Sequence, residues 1–331
     1  MRTIRTIAVT AAVALIIGVM GVPAPAAAQD WPTRPVTMVV PFAAGSGSDI
    51  LGRIIGPRLG ENLGATVIVE NVGGAGGMIG AARVVKAAPD GYQLLLATAG
   101  TQAMNQTLYK KPLYNAATDF APVALVASTP ILLVTRKDLP ADDLPAFIAY
   151  AKGHQATMQY GSPGAGSASH LACVLFNAAI GVEITHVPYR STAQALQDLL
   201  PGRLDYQCVP IAAAVSQIES RTVNGIAIMT KARSRILPKL ATADEQGLAN
   251  FEADTWYALF LPKGTPAAIV RKLHDATVAT MNSPDVQAKL AELGIEVVAP
   301  ERRSPEYLAQ FVVREIEKWA GPIKAAGLSM D

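Results

Sequence analysis

Residues 36–63 read VTMVVPFAAGSGSDILGRIIGPRLGENL and contain the unit that decides the fold class. The apolar, β-branched run Val36–Pro41 predicts a strand, and the pattern over Ile50–Leu63 predicts a helix. Between them lies the loop Phe42–Asp49, whose inner residues are all alanine, glycine or serine. A buried strand that passes through such a loop into a helix is the building unit of α/β proteins.

The same alternation of strand and helix continues along the chain. Further short apolar runs predict strands at Val67–Glu70, Leu94–Ala97, Val123–Val126, Ile131–Thr135, Thr185–Val187, Leu204–Val209 and Ile226–Met229. Helical patterns lie between them at Met78–Ala87, Leu144–Lys152, Ser169–Ala179 and Ala193–Leu200. This order predicts an α/β fold with parallel sheet and helices on both faces. The C-terminal part predicts two more helices, which begin at Thr265-Pro266 and Ser304-Pro305.

Composition excludes several classes of protein. The 331 residues are 50% hydrophobic and 16% charged, whereas a disordered chain needs high charge and few apolar residues. A net charge of +2 and 6% aromatic residues argue against a nucleic-acid partner. The length allows two domains. Because the sequence has no low-complexity linker, ordered strands near Val123–Thr135 and Trp256–Leu261 are the predicted connections between them.

The N-terminus has the three parts of a secretory signal peptide. Arg2 and Arg5 give a positive start, Ile7–Val22 is almost wholly apolar, and Ala26–Ala28 offers a small-residue cleavage site. The alternative is a membrane anchor, but the apolar run is shorter than the about 20 residues that a spanning helix needs. We therefore predict a signal peptide at residues 1–28, and we expect the mature chain in the periplasm.

Cys173 and Cys208 are the two cysteines of the chain. An oxidising compartment allows a disulfide between them, and two buried free thiols are the alternative. Neither cysteine lies in a CxxC pattern or near a pair of histidines, so no metal site is expected.

Four glycine-rich or hydroxyl-rich loops follow a predicted strand and precede a helix, at residues 40–49, 71–77, 97–102 and 160–167. A helix N-terminus leaves N–H groups unpaired and favours negative charge, so such loops suit a carboxylate or another anion. The alternative for each loop is a tight turn with a helix cap, provided by Ser48 or Asp49 and by Ser167. The glycine spacings match neither a dinucleotide fingerprint nor a P-loop, so no cofactor is expected.

Catalytic motifs are sparse. No HExxH, HxH or GxSxG pattern occurs among the histidines and serines. Ser167 with His170, or Ser46 with Asp49, would serve an exported serine hydrolase, although no third member of a triad is recognisable. Arg190 is either a carboxylate clamp or a solvated loop charge, and Asp49 either binds a ligand amine or caps a helix.

Six segments in a fixed order carry a family resemblance. They are Trp31–Phe42, Val69–Asn71 with the glycine run to Gly77, Ala88–Tyr92, Asp119–Val123, His186–Arg190 and Pro262–Pro266. With these segments the chain resembles the substrate-binding proteins of tripartite tricarboxylate transporters, the Bug family. The resemblance spans nearly the whole mature chain.

The resemblance implies a two-lobed periplasmic binding protein of the Venus-flytrap type, an α/β fold with a mixed, mainly parallel sheet in each lobe. Residues 29–128 and 255–331 would form lobe 1 and residues 129–254 lobe 2, joined by two crossing strands. A small organic carboxylate would bind between the lobes and pass to a membrane permease of a tripartite tricarboxylate-type transporter. The resemblance implies no catalysis, and we expect a monomer.

The resemblance also places the ligand site, on the loops Phe42–Asp49, Thr98–Gln102 and Ser162–Ser167 and on the turn at Tyr189-Arg190. The residues singled out are Phe42, Ala44, Ser46, Gly47, Ser48, Asp49, Ala99, Gly100, Thr101, Gln102, Ser162, Gly166, Ser167, Tyr189 and Arg190. Phe42, Tyr189, Trp256 and Tyr257 either line an aromatic slot or pack in the core. 

Three positions depart from the family pattern, at Ala44–Ser46, Val72-Gly73 and Ser191, so the identity of the ligand does not carry over. Besides the hydrolase, a ligand-sensing interaction protein on the same fold is an alternative function.

Overall fold

A computed structural model describes residues 31–331, and the predicted signal peptide lies outside the described residues. The strands are β1 (Val36–Val40), β2 (Val67–Asn71), β3 (Gln93–Thr98), β4 (Phe120–Arg136), β5 (Gln159–Ser162), β6 (Thr185–Pro188), β7 (Tyr206–Pro210), β8 (Val223–Ile228), β9 (Asp254–Pro262) and β10 (Glu296–Val297). The helices are α1 (Gly47–Leu63), α2 (Met78–Val85), α3 (Asn105–Leu108), α4 (Leu144–His154), α5 (Ala168–Ile180), α6 (Thr192–Leu199), α7 (Val215–Glu219), α8 (Ala267–Met281), α9 (Pro284–Glu292) and α10 (Pro305–Ala325).

The strands follow the order β2-β1-β3-β9-β4-β7-β5-β6, and β8 and β10 also pair with β4. β1 is parallel to β2 and β3, and β5 is parallel to β6 and β7. Antiparallel pairs join these two parallel groups, because β9 lies between β3 and β4 and β7 lies beside β4. We call β1, β2, β3 and β9 with their connections the first lobe, and β5, β6, β7 and β8 with theirs the second lobe.

β4 is 17 residues long and runs through both lobes. It pairs with β9 as far as Pro130 and with β7 from Ile131 onwards. The prediction of two separate strands, Val123–Val126 and Ile131–Thr135, is therefore wrong. Pro130 has no N–H to donate, and it lies where β4 changes its partner, which is a position where a strand tolerates proline.

Most of the other predicted strands and helices are present, with ends that differ by a few residues. The sequence reading missed β5, because its Gly161-Ser162 end resembles a loop. Parallel pairing with β6 on one side and β7 on the other holds this segment extended. Tertiary pairing thus overrides a weak local preference.

The C-terminal helix α10 packs on the first lobe through one apolar face. Leu308, Val312, Trp319 and Ile323 are buried at helical spacing, as the sequence predicts. Each buried side chain of this size stabilises the fold by roughly 1.5–3 kcal/mol. Among residues 31–331, no helix is both long and apolar enough to cross a bilayer.

Candidate functional site

A cavity of about 30 Å³ lies between the two lobes. The first lobe lines it with the start of α1, the end of β3 and the start of β9, and the second lobe with the starts of α5 and α6. The lining residues are Phe42, Ser46, Gly47, Ser48, Thr98, Pro163, Ser167, Ala168, Ser169, Thr192, Pro210, Thr255 and Tyr257. A buried water molecule needs roughly 10–15 Å³ of such space, so the cavity has room for about two water molecules.

Helix α1 begins inside the first loop and points its N-terminus at the cavity. Ser46 is the N-cap, and its hydroxyl accepts the backbone N–H of Asp49 over 3.2 Å. This cap leaves the N–H groups of Gly47 and Ser48 without an acceptor inside the helix. Both residues line the cavity, so the positive end of the α1 dipole faces it.

The second lobe repeats this design twice. Ser167 caps α5 and Ser191 caps α6, each by accepting the backbone N–H three residues further on over 3.2 Å. Ala168 and Ser169 at the start of α5 and Thr192 at the start of α6 line the cavity. Three helix N-termini, one from the first lobe and two from the second, therefore meet at one place, which is favourable for an anion.

Strand β9 supplies hydroxyl groups to the floor of the cavity. Thr255 and Tyr257 lie on the same face of β9, because side chains alternate along a strand, and both line the cavity. Thr255 is 2% exposed, and its hydroxyl has no hydrogen-bond partner among the described residues. Burial raises the pKa of Tyr257, so its phenol stays protonated and keeps a proton to donate. A buried hydroxyl without a partner is costly, so the Thr255 hydroxyl favours a ligand that bonds to it.

None of the described residues that line the cavity carries a formal charge. Asp49 lies nearby, but its carboxylate is bonded to three residues of the first lobe: Oδ2 accepts the N–H of Gly45 over 2.9 Å, and Oδ1 accepts from Arg53 over 3.0 Å and from Asn71 over 2.9 Å. Burial alone would raise the pKa of Asp49, but the hydrogen bonds from Arg53, Gly45 and Asn71 outweigh it and hold the pKa below its usual value. Asp49 thus fixes the loop that presents α1.

Backbone groups of the two lobes meet across the cleft. Gly76 of the first lobe lies so close to the carbonyl oxygen of Ala165 that an added Cβ would overlap it. The N–H of Ala43 donates to the carbonyl of Arg190 over 3.2 Å, and the Tyr109 hydroxyl donates to the carbonyl of Ala165 over 3.4 Å. The cleft is closed in this structure, so a ligand larger than water enters only when these contacts separate.

Five of the residues singled out from the sequence line the cavity, namely Phe42, Ser46, Gly47, Ser48 and Ser167. Ten lie outside its lining, namely Ala44, Asp49, Ala99, Gly100, Thr101, Gln102, Ser162, Gly166, Tyr189 and Arg190. Tyr189 donates its hydroxyl to Asp198 over 2.8 Å, and the Arg190 side chain is exposed. Of the four residues considered for an aromatic slot, Phe42 and Tyr257 line the cavity, Tyr189 does not, and Trp256 donates its indole N–H to Glu315.

The segment 99–102 supports the cavity from behind. The Thr101 hydroxyl donates to the carbonyl of Thr98 and accepts its N–H, both over 3.0 Å, which fixes the end of β3 where Thr98 lines the cavity. Gly100 lies against the backbone of Gly166 from the second lobe. Gln102 is fully buried, and neither side-chain amide atom has a partner among the described residues. Residues 99–102 therefore support the wall of the cavity from behind, and Thr98, directly before them, is the residue that lines it.

The serine–histidine pair considered for a hydrolase is not formed. The Ser167 hydroxyl accepts the backbone N–H of His170, and the His170 ring accepts the N–H of Gly166 at Nδ1 over 3.3 Å. A different pair occurs at the base of the same loop, where the Ser162 hydroxyl lies 2.7 Å from Nε2 of His186. Burial lowers the pKa of His170 to about 3 and that of His186 to about 4, so both rings are neutral at pH 7. These neutral rings hold the loop in place.

The sequence reading missed five lining residues, namely Ala168, Ser169, Thr192, Pro210 and Thr255. Two signals in the sequence point to some of them. Ala168, Ser169 and Thr192 directly follow cap serines, where backbone N–H groups are free. Thr255 lies one residue before Trp256 and two before Tyr257, and this alternation places polar side chains on one face of an otherwise apolar strand.

Cys173 in α5 and Cys208 in β7 form a disulfide. The bond ties the helix whose start lines the cavity to a central strand of the second lobe. Within the described range, no three His, Cys, Asp or Glu side chains are grouped as a metal ion would need.

Sequence comparisons give the same family for most of the chain. The family model described as tripartite tricarboxylate transporter family receptor (TctC) matches residues 51–328. The UPF0065 protein in the TAR-I ttuE-ttuC' intergenic region of Agrobacterium vitis is 40% identical over 316 residues, which cover 95% of this chain and 91% of that protein. Protein BugT of Bordetella pertussis is 33% identical over 322 residues, which cover 97% of this chain and 98% of that protein.

Solved structures agree with this family. The periplasmic binding protein BugD superposes with a TM-score of 0.88 and 37% identity, over 91% of this chain and 100% of that one. MatC from Rhodopseudomonas palustris, solved with bound malate, superposes with a TM-score of 0.86 and is 39% identical, over 88% of this chain and 99% of that one. A second R. palustris protein, solved with adipate, superposes with a TM-score of 0.86 and is 36% identical, over 91% of this chain and 99% of that one.

These neighbours are solute-binding proteins rather than enzymes, and they confirm the predicted two-lobed, periplasmic-binding-protein fold. The chain belongs to the tripartite tricarboxylate transporter receptor family and is a solute-binding protein.

Proposed function

We propose that this protein is a periplasmic receptor that captures a small organic carboxylate between its lobes. The observation that carries the proposal is the meeting of three helix N-termini, those of α1, α5 and α6, at one closed cavity. Backbone N–H groups at helix starts favour a negatively charged ligand. Hydroxyls of Ser48, Ser169 and Thr255 add donors beside them. A carboxylate suits this arrangement, because each of its two oxygens accepts hydrogen bonds.

Affinity would come from hydrogen bonds rather than from an ion pair. Each hydrogen bond to a charged oxygen contributes about 1.5–3 kcal/mol, and three or four of them approach the about −8 kcal/mol of a micromolar complex. Because the donors belong to both lobes, a bound carboxylate lowers the free energy of the closed form. Ligand binding and closure are then one equilibrium.

The ligand class that fits best is a short dicarboxylate. The relatives solved with malate and with adipate resemble this chain in sequence and fold, and both of those ligands carry two carboxylates. Here the α1 start lies on one side of the cavity and the starts of α5 and α6 on the other, so each carboxylate would have donors of its own. The cavity of about 30 Å³ has to widen for such a ligand, which separation of the lobes provides.

Residue roles follow from this placement. Gly47, Ser48, Ser169, Thr192 and Thr255 would contact the ligand. Asp49 would position the first loop, and the cap serines would hold the helix starts. 

We further propose the lobe boundaries stated above, residues 29–128 with 255–331 and residues 129–254. Residues 1–28 would direct export and then be cleaved from the mature chain, and the closed monomer would deliver its ligand to a permease of the tripartite tricarboxylate type.

A thermal-shift screen tests the carboxylate proposal. The protein is purified from the periplasm, freed of ligand, and heated with four- to six-carbon dicarboxylates, the matching monocarboxylates, amino acids and neutral diamides. A ligand at 100 times its Kd adds about 2.7 kcal/mol of stability. We expect a few dicarboxylates to raise Tm and the diamides to leave it unchanged. A flat response to every carboxylate would contradict the proposal.

A matched pair of threonine variants tests the site itself. Thr255→Val removes the unpartnered hydroxyl of the cavity at nearly constant shape, and should weaken the best ligand about tenfold through one lost hydrogen bond. Thr135→Val removes another fully buried, unpartnered hydroxyl that lies outside the cavity lining. Calorimetric titration should give unchanged affinity for Thr135→Val. Equal weakening in the two variants would place the ligand elsewhere.

A further inference from the structure

A second cavity, of about 530 Å³, shares no lining residue with the ligand cleft. It lies between residues 234–236, which follow β8, and residues 294–303, which include β10 and lead to α10. Gly294 packs against Ile236, whose Cδ1 would lie 2.8 Å from an added Cβ, so the two walls are in contact. Its volume falls within the roughly 300–1,000 Å³ of small-molecule sites. We call it the Arg303 pocket.

Arg303 is a buried cation with neutral partners. It is 4% exposed, and its Nε donates to the carbonyl of Val298 over 2.8 Å while Nη1 donates to Oδ1 of Asn282 over 2.7 Å. No acidic side chain forms an ion pair with it among the described residues. Burial lowers the pKa of Arg303, although a guanidinium remains charged at neutral pH. Glu301 attracts the Arg303 guanidinium electrostatically but forms no ion pair with it among the described residues. A buried charge without a paired counter-charge is costly, so this group favours an anion.

The geometry of these bonds leaves one edge of the guanidinium available. Two hydrogen bonds fix its plane, and within the described chain Nη2 has no acceptor. The fork of an arginine matches the spacing of two oxygens in a carboxylate or phosphate. Arg303 is therefore oriented before any ligand arrives, which reduces the entropy lost on binding.

The opposite wall adds a second cation and a hydroxyl. Arg235 lines the pocket, is exposed, and forms no hydrogen bond or ion pair with any described residue. Ser234 beside it is 9% exposed, and its hydroxyl also has no partner in the described part of the chain. Glu296 is the acidic residue of the lining. Two arginines against one glutamate leave a single positive charge, which suits a small oxyanion.

We propose that the Arg303 pocket is a second anion-binding site, separate from the ligand cleft, where a phosphate or an organic carboxylate lies between Arg303 and Arg235. The anion would supply the counter-charge that Arg303 lacks. It would also link residues 234–236 to the segment 294–303, which belong to different lobes under the proposed boundaries.

Inorganic phosphate is the probe, titrated calorimetrically into the ligand-free periplasmic protein in chloride buffer at constant ionic strength. We expect one phosphate per chain. Arg235→Gln should weaken it at least about tenfold, because a charge-assisted hydrogen bond is lost. Glu296→Gln should tighten it about threefold, since a like charge is removed. Arg303→Lys should weaken it by loss of the fork, with circular dichroism to verify folding.

Two controls keep the result specific. Arg271→Gln removes an exposed arginine outside the pocket lining and should leave phosphate affinity unchanged. Thr255→Val should also leave it unchanged, because Thr255 lies in the other cavity. Equal affinity for phosphate in wild type and Arg235→Gln would overturn the proposal, and so would loss of phosphate binding in Thr255→Val. Acetate that displaces phosphate, measured with the ligand cleft saturated, would identify a carboxylate as occupant, and failure to displace it would identify a phosphate.

Discussion

The ligand cleft and the Arg303 pocket both suit anions, but they rely on different physical means. The cleft presents N–H groups of three helix starts and neutral hydroxyls, and its charged neighbour Asp49 is neutralised by its own loop. The Arg303 pocket presents the formal charges of two arginines and one glutamate in a larger space. Recognition in the cleft therefore depends on geometry and closure, whereas recognition in the Arg303 pocket depends on charge and salt.

Removing the disulfide should have the largest effect on stability. Of the two binding sites, only the cleft should lose affinity. In Cys173→Ala/Cys208→Ala the chain loses a cross-link between residues 35 apart, worth about 4 kcal/mol of unfolding free energy in the chain-entropy treatment. Urea unfolding of the ligand-free protein measures this loss. Dicarboxylate affinity should also fall, because α5 is no longer tied to β7. Phosphate affinity of the Arg303 pocket should not change, and unfolding free energy equal to wild type would contradict the expectation.

A wedge between the lobes should have the next largest effect. Gly76→Val places a side chain against the Ala165 carbonyl and prevents closure. The ligand then loses about two hydrogen bonds from one lobe, which corresponds to about 100-fold weaker binding. Gly64→Val is the matched control, because Gly64 has a similar positive φ of 75° with nothing within 4 Å of an added Cβ. Calorimetry should show weakening only for Gly76→Val, and equal affinities would mean that closure does not contribute.

Mild acid should destabilise the second lobe, where two buried histidines hold a loop beside the cleft. The pKa values of His170 and His186 are lowered to about 3 and about 4, against about 6.5 in an unfolded chain. Stability from these rings is complete above pH 6.5. This stability decreases as the pH falls towards 4, because the histidines of the unfolded chain bind protons whereas the buried rings of the folded chain stay neutral. His170→Gln should flatten the fall in Tm between pH 6.5 and 5, and an unchanged slope would contradict this origin.

Salt should give the smallest difference. Raising sodium chloride from about 0.05 to about 0.5 M shortens the Debye length to a few ångströms and screens exposed charges. Phosphate binding at the Arg303 pocket should weaken severalfold, since Arg235 is exposed. Dicarboxylate binding in the cleft should change less than about twofold, because a closed site with neutral donors is screened less. Calorimetry at both salt concentrations checks this, and parallel weakening would remove the distinction between the sites.

The parts of the molecule that the sequence predicts well are those governed by local pattern. The run 36–63 identifies a strand, a loop and a helix, because periodicity and caps depend on neighbouring residues. Five lining residues in the loops 40–49 and 160–167 could be identified for the same reason. 

For Thr255, local alternation indicates only that it shares a face of β9 with Tyr257, and the position of that face at the cavity depends on pairing of β9 with β3 and β4. The two arginines of the Arg303 pocket are also distant in sequence: Arg235 precedes Arg303 by 68 residues (303 − 235). Asp49 shows the opposite error. Its position in the loop is right for a ligand contact, but hydrogen bonds from Gly45, Arg53 and Asn71 occupy its carboxylate.

The contacts that shut the cleft have a consequence for how such receptors diversify. Closure uses main-chain groups at Gly76, Ala165, Ala43 and Arg190 together with the Tyr109 hydroxyl, whereas the side chains proposed to face the ligand lie at helix starts and on β9. A duplicated gene can therefore exchange Ser169 or Thr255 without rebuilding the closing mechanism. We expect new ligand preferences in this fold to arise by few substitutions, and grafting those positions between paralogues should transfer preference while the conformational change stays the same.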